Sequence, residues 1–300
     1  MKVSVLLTFQ FNYLLRYIYK NTRYEYMDTS GGKIIEANQS ITIGRTSAAF
    51  LFGLLLGVAA GLIGVGGGEF RIPVLLHVIG LPVITAIAVN LLVGLLTVVA
   101  SFIRRFQLGL LNGHSVNIVL VMSATSIIGA YVGALLTDRI PEKPLKKLLA
   151  AFLVIVGLKI GLEPFIEFQV AFTFTWSFLE EALLAALIGL AIGIISGTLG
   201  VAGGEFRIPA LIYIFNLDIV AAGTASLLVS IPTVASGFLK HHSMRHMNRN
   251  AWFIAITMSA GSMLGAFVGA SYAGVIGKDI LKVLLGVILV LATVRMVTKP

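Results

Sequence analysis

Two ten-residue segments place the same charged side chains inside otherwise apolar sequence. The first, GVGGGEFRIP, covers residues 64–73, and the second, GVAGGEFRIP, covers residues 200–209, an offset of 136 positions. Each contains a glutamate and an arginine two positions apart, namely Glu69 with Arg71 and Glu205 with Arg207. The guanidinium fork of arginine matches an oxyanion, and a carboxyl group can carry a proton or pair with arginine. These residue types indicate anion binding, with proton coupling or ion pairing as the role of the glutamates.

The glycines of the two segments favour the same chemistry. Successive glycine N–H groups can form a concave nest for an anion, and a helix that follows offers its positive N-terminal end. Pro73 and Pro209 suit the first turn of such a helix, where no N–H is needed. We predict that a small anion contacts both segments and one polar residue on the helix after each break. The predicted residues are Gly66, Gly67, Gly68, Arg71, Gly203, Gly204, Arg207, Asn90 and Ser226.

Four charged residues at membrane depth would need compensation. Each costs about 2.5–3.5 kcal/mol at the bilayer centre. Because residues two apart point to different faces of a helix, we expect pairs across the two copies, Glu69 with Arg207 and Glu205 with Arg71. Two alternatives stay open: the pairs only lock the copies together, or both segments lie at the membrane interface.

The composition is that of a polytopic membrane protein. Hydrophobic residues make up 58% of the 300 positions and charged residues only 12%, whereas about a quarter is charged in soluble domains. Eight apolar stretches suit a hydrocarbon core about 30 Å thick. They cover residues 47–63, 83–103, 116–136, 145–162, 179–199, 219–239, 251–272 and 280–297. We predict an all-α, multi-pass protein of the cell membrane with about eight transmembrane helices.

The offset of 136 extends beyond the charged segments. It aligns glycines and other residues throughout the chain, including Gly57 with Gly193 and Gly61 with Gly197. Small residues at 129–134 and 265–270 recur at i, i+4, which is typical of close helix packing in membranes. We predict two homologous four-helix repeats, each with a glycine-broken helix.

These repeats define the predicted domains. The first covers residues 46–162 and the second residues 182–300, joined by a linker at 163–181. Residues 1–45 form an N-terminal extension. It is interpreted as an interfacial amphipathic arm, as a poorly ordered extension, or as an artefact of an upstream start with Met27 closer to the true start.

Loop charge favours one orientation of the repeats. Basic residues follow the same helix in each half, as Arg104 and Arg105 in the first and at 240–249 in the second. Placing both loops inside the cell makes the repeats parallel. A charged segment that re-enters the membrane would instead make them inverted. The histidines at 241, 242 and 246 are expected to be solvated in the second loop.

Several function classes are disfavoured. The net charge of +9 comes from short loops between spans, so it predicts no nucleic-acid partner. Cysteine is absent, which excludes disulfides and thiolate metal sites. No spacing of histidines, carboxylates or hydroxyls suggests catalysis or metal binding. We predict no enzymatic activity, no metal and no cofactor.

At the charged segments the chain resembles the TauE/SafE family of sulfite and organosulfonate exporters. The resemblance covers about residues 48–296, and rests on a glycine-rich turn, a proline and an apolar half-helix at 64–76, their copy at 200–211, and GTASLL at 223–228. It implies a permease for small sulfur-containing or other organic anions, coupled to an ion gradient. The family often has apolar residues at the positions of the two Glu/Arg pairs. Cysteine-dependent thiosulfate uptake, found in a distantly related group, is excluded by the lack of cysteine.

The leading interpretation is a secondary-active exporter of small anions such as sulfite or organosulfonates. Its site would lie near the membrane midplane, where the two segments meet, and Glu69 or Glu205 would couple a proton. The alternative is a structural or partner membrane subunit, or an anion channel, in which the Glu/Arg pairs only lock the repeats together. The expected partners are a small organic or inorganic anion and the lipid bilayer. Assembly into a homo-oligomer is left open as an alternative to a monomer.

Overall fold

A computed structural model describes residues 43–111, 113, 115–136, 142–166, 177–244 and 246–298. The chain divides into two compact units, Met1–Thr46 and Ser47–Pro300. Of the first unit only residues 43–46 are described, so the predicted N-terminal extension lies almost wholly outside the described residues. The middle of the predicted linker, 167–176, lies outside them too. All contacts below belong to the second unit.

The described residues form ten α-helices and no strand. They are α1 Ile43–Ile63, α2 Gly68–Pro73, α3 Val83–Gln107, α4 Ser115–Leu136, α5 Glu142–Leu162, α6 Phe178–Leu199, α7 Gly204–Tyr213, α8 Ile219–Ser243, α9 Arg249–Tyr272 and α10 Lys278–Thr298. One π-helical turn, Val74–Val78, continues α2. Each predicted apolar stretch coincides with one long helix, and the short helices α2 and α7 follow the glycine-rich turns.

Six of these helices are long and apolar enough to cross a membrane, namely α1, α3, α4, α6, α8 and α9. Helix α5 has only a shorter apolar part, Leu149–Leu162. It packs against α10, where Gly157 lies next to Gly286 and Leu289. The all-helical polytopic class is therefore confirmed, while the number eight stays a prediction.

Small residues bring α1 into direct contact with α9. A side-chain carbon added at Gly57 would collide with the backbone of Ser262, and one at Gly61 with the backbone of Ala266. A step of four residues along α1, from Gly57 to Gly61, matches a step of four residues in the same direction along α9, from Ser262 to Ala266. Helices α1 and α9 therefore run parallel. Such contact is available only where neither helix carries a bulky side chain, because lipid gives no hydrophobic drive for association.

The pair α6 and α4 repeats this arrangement. Gly193 lies against Ser126, and Gly197 against Ala130. These contacts are the α1–α9 contacts carried over by the offset of 136, with the two halves exchanged. The first long helix of each half thus packs on the other half. The close packing expected for the small residues at 129–134 and 265–270 is confirmed, since carbons added at Gly129 and Gly265 would also meet backbone atoms.

The two central helices, α3 and α8, run antiparallel. Leu91 of α3 lies next to Gly237 of α8, and Gly94 lies next to Val234. The basic segments that follow α3 and α8 consequently lie at opposite ends of the bundle. The expectation of parallel halves, which placed both segments on one side, is wrong.

The second basic segment also differs from its expected solvation. Helix α8 continues beyond the predicted end at 239 to Ser243 and therefore includes His241. That side chain is only 1% exposed, and its Nδ1 lies 3.0 Å from Nδ1 of His246. The expectation of a solvated ring is wrong for His241, because the helix carries it into the packed interior.

Candidate functional site

Each charged segment breaks the chain and then starts a short helix. Gly67 precedes α2 with φ 70°, and Gly203 precedes α7 with φ 75°. This left-handed backbone costs glycine little and strains residues that carry a side chain. The glycines at these two positions are therefore required by the turn, and they support the prediction of a glycine-broken helix.

The prolines lie deeper in the helices than expected. Because α2 begins at Gly68 and α7 at Gly204, Pro73 and Pro209 are the sixth helical residues, and the prediction of a first-turn position is wrong. A proline has no N–H for the carbonyl four residues earlier. In both helices that carbonyl belongs to the glutamate of the segment.

The two segments pack directly on each other. The α-carbon of Gly204 lies against the carbonyl of Val65, and a carbon added at Gly66 would meet the side chain of Ala202. A carbon added at Gly68 would lie 3.4 Å from the backbone of Val201. The sequence expectation that both copies come together is met at the level of backbone contact.

Arg71 is fully buried among polar groups of two other helices. Its Nε donates to Oδ1 of Asn90 at 2.9 Å. Its Nη1 donates to Oγ1 of Thr97 at 3.1 Å and to Oγ of Ser262 at 3.4 Å. Only Nη2 has no hydrogen-bond partner within the described residues. The first arginine is thus held on two sides.

Asn90 ties this arginine to the opposite segment. While its Oδ1 accepts from Arg71, its Nδ2 donates to the carbonyl of Gly200 at 2.7 Å. Gly200 ends α6 and opens the second charged segment. Asn90 was predicted as a substrate contact; in the structure its amide joins the two halves of the site.

Arg207 is fully buried too, but it makes fewer hydrogen bonds. Its Nη1 donates to the carbonyl of Ser226 at 3.1 Å and to Oγ of Ser230 at 2.7 Å. Among the described residues, Nε and Nη2 of Arg207 have no hydrogen-bond partner, and neither does Oγ of Ser226. A carbon added at Gly203 would lie 3.6 Å from Nη2. The predicted residues Gly203, Arg207 and Ser226 therefore form one cluster.

The two glutamates are buried and interact electrostatically across the halves. Glu69 is 8% and Glu205 1% exposed, and their side chains lie within interaction distance. In the described part of the chain neither Arg71 nor Arg207 donates a hydrogen bond to a carboxylate. The expected cross-half Glu–Arg pairs are thus not formed as hydrogen bonds among the described residues, where each arginine bonds to neutral oxygens.

Ser262 and Ser230 contact the arginines but are not among the residues predicted from the sequence. A signal for them existed. Polar side chains recur on α3 as Asn90, Thr97 and Ser101, and on α8 as Ser226, Ser230 and Thr233, all buried. Spacings of three, four and seven residues put each set on one helix face. Ser262 reaches the site because α9 packs beside α3, where its Oγ lies 2.6 Å from Oγ1 of Thr97.

A third buried arginine, Arg105, closes one end of the site region. Its guanidinium donates to the carbonyls of Gly61 and Leu62 at the end of α1. It also donates to the carbonyl of Val220 and to Oγ1 of Thr224 at the start of α8. Arg105 thus joins the helix that leads into the first charged segment to a helix of the other half.

Comparison with known proteins identifies relatives of this chain. No solved structure matches the chain. The "Probable membrane transporter protein YdhB" of Bacillus subtilis (strain 168) is 28% identical over 228 residues, 76% of this chain and 90% of that protein. The "Probable membrane transporter protein ORF9" of Sinorhizobium sp is 26% identical over 256 residues, 84% of this chain and 91% of that protein.

The sequence profile described as "Sulfite exporter TauE/SafE" matches residues 3–160 and 176–300. These two ranges contain both charged segments and all ten helices except the last two residues of α5. The chain therefore belongs to the sulfite exporter TauE/SafE family, and it is a multi-pass transporter of the cell membrane.

Proposed function

We propose that the protein is a secondary-active exporter of small anions such as sulfite or organosulfonates. The observation that carries the proposal is the pair of buried guanidinium groups, Arg71 and Arg207, beside two glycine turns that contact each other. The two halves act as repeats of opposite orientation, and the anion binds where their charged segments meet.

The depth of the arginines supports a site near the membrane midplane. Arg71 contacts Thr97 and Ser262, which lie near the middle of α3 and α9. Arg207 contacts Ser230, near the middle of α8. All three helices are long enough to cross a membrane. Charged groups at that depth cost about 2.5–3.5 kcal/mol each on insertion scales, so their presence indicates a function on the transport path.

The unused donors of the arginines favour an anionic ligand. Nη2 of Arg71, with Nε and Nη2 of Arg207, has no acceptor within the described residues. A buried donor left without an acceptor costs about 1–3 kcal/mol, and more when it is charged. An oxyanion supplies the acceptors that the neighbouring residues do not.

The carboxyl pair supports proton coupling. An ionised carboxylate only accepts hydrogen bonds, so two carboxyl groups share a hydrogen bond only when one of them holds a proton. Glu69 and Glu205 are both buried and act on each other electrostatically, in the same two segments as the arginines. A proton on the pair leaves the arginines with excess positive charge and favours the anion, whereas loss of the proton opposes it. The pair therefore links protonation to anion occupancy.

Flux into vesicles tests the proposal. The purified full chain is reconstituted into liposomes, and sulfite and methanesulfonate flux is measured with and without a pH gradient. We expect saturable flux that changes with the gradient, compared with protein-free vesicles. Flux that does not saturate and ignores pH would indicate a channel. Absence of flux for both anions would contradict an exporter of this substrate class.

A further inference from the structure

We infer that the anion is held by the second half, on Arg207 and Ser226, and that Arg71 in the first half is a positioning residue. This inference rests on the proposed function, because it assigns unequal roles to the two arginines of that site. It goes beyond the repeat pattern, which would give both copies of the segment the same role.

The two guanidinium groups differ in which edge is free. In an arginine, Nε and Nη2 lie along one edge, and their parallel N–H bonds can contact two oxygens of one oxyanion. On Arg71 this edge is occupied, because Nε donates to Asn90 at 2.9 Å. On Arg207 both Nε and Nη2 have no partner among the described residues. Only Arg207 offers the complete edge for a two-point contact.

The difference between the two arginines follows from a difference in residue type between the halves. Asn90 and Ser226 occupy corresponding positions, 136 residues apart. The amide oxygen of Asn90 reaches Arg71, whereas the shorter Ser226 contacts Arg207 only through its backbone carbonyl, at 3.1 Å. A serine hydroxyl cannot replace the longer amide at Nε, so the Arg207 edge stays available.

The surroundings of Arg207 complete the site. The Oγ of Ser226 is buried and has no partner in the described part of the chain, so it can donate to the same ligand. Gly203 lies next to this edge, since a carbon added there would lie 3.6 Å from Nη2 and would also collide with the side chain of Ile192. Two parallel N–H donors and one hydroxyl fit an oxyanion with at least two oxygens on one atom, such as a sulfonate, sulfite or carboxylate. A halide offers a single acceptor atom to both N–H bonds and matches the fork less well than two oxygens do.

Reciprocal variants test the assignment. Ser226→Asn copies the first half into the second and supplies an amide oxygen to Nε of Arg207. Asn90→Ser makes the opposite change beside Arg71. Arg207→Lys and Arg71→Lys keep the charge and remove the fork. Binding of methanesulfonate and of sulfite to the purified full chain is measured calorimetrically, with chloride for comparison, and each variant's unfolding is recorded separately.

We expect Ser226→Asn and Arg207→Lys to weaken methanesulfonate binding by on the order of tenfold or more while the protein stays folded. Asn90→Ser and Arg71→Lys should lower stability, because they remove hydrogen bonds between the halves, and should weaken methanesulfonate binding by clearly less than the variants of the second half do. Chloride should compete only weakly, because a single acceptor atom matches the fork less well than two oxygens do.

Two results would overturn the inference and leave the proposed function standing: unchanged affinity in Ser226→Asn, or an equal loss in the two lysine variants. Absence of any binding or flux by the unaltered protein would overturn the proposed function and this inference together.

Discussion

Replacing Arg105 gives the sharpest test of how the two halves are held together. This side chain is 1% exposed and makes five hydrogen bonds, to Gly61, Leu62, Val220 and Thr224. The carbonyls of the first two belong to the last turn of α1, where a helix leaves its acceptors unpaired. Arg105→Met keeps the length of the side chain and removes every donor.

The loss of stability in Arg105→Met follows from the carbonyl groups of Gly61 and Leu62, which lose their hydrogen-bond donor. A buried acceptor without a donor costs about 1–3 kcal/mol, so two orphaned carbonyls cost about 2–6 kcal/mol. Removing a buried charge returns part of its desolvation cost, and we expect a net loss of about 2–4 kcal/mol in the free energy of unfolding. Arg105→Lys should lie between the variant and the original protein, because the ammonium retains the charge but has only three donors.

The neighbouring Arg104 provides the matched control. It donates one hydrogen bond, to Oγ of Ser271 at 2.8 Å, and lies 4.9 Å from the ring of Phe267. Arg104→Met should therefore cost only about 1 kcal/mol. Unfolding is followed in detergent micelles as the fraction of dodecyl sulfate rises. Equal midpoints for the methionine variants at 104 and 105 would refute the role of Arg105.

Two further changes test the carboxyl pair and the helix packing. Glu205→Gln cannot exchange a proton, so anion flux in vesicles should continue while its response to a pH gradient disappears; a full response would contradict proton coupling through this pair. Gly61→Leu pushes a side chain into the backbone of Ala266 and should destabilise by about 3 kcal/mol or more. Gly277→Ala, with nothing within 4 Å, should change unfolding by less than about 0.5 kcal/mol, and a similar loss in both would contradict the α1–α9 contact.

Much of the architecture is predictable from apolar length and glycine position. The eight apolar stretches coincide with the long helices, and the turns at Gly67 and Gly203 lie where successive glycines exclude a continuous helix. These features depend on local chemistry, since a hydrophobic stretch of this length and a residue that tolerates positive φ can both be recognised without knowing the fold.

Helix direction was not predictable from loop charge. The expectation counted Arg105 as a loop residue on the inner membrane side, but α3 continues to Gln107 and buries it. A guanidinium that neutralises helix-end carbonyls does not report on membrane sidedness in the way a solvated loop charge does. When Arg105 is not counted as a loop charge, Arg104 is the only arginine left in the first basic segment. A single arginine is too little charge to set the orientation of the helices.

The arginine partners were also beyond sequence reasoning. Charge complementarity suggested carboxylates, whereas Arg71 and Arg207 bond to amide, hydroxyl and carbonyl oxygens on helices distant in the chain. Which oxygens lie within reach depends on tertiary packing, and the position of Ser262 relative to Arg71 arises only when α9 lies beside α3.

The exchange of helices between the halves has a consequence for how the protein is made. The first long helix, α1, contacts α9. Arg71 donates a hydrogen bond to Ser262 of α9, which lies 191 positions later in the chain. During synthesis the small-residue face of α1 and the guanidinium of Arg71 must therefore wait in the translocation machinery or in lipid until nearly the whole chain has emerged. Neither half can mature alone, and co-expressed halves should become protease-resistant only when both are inserted in the same membrane.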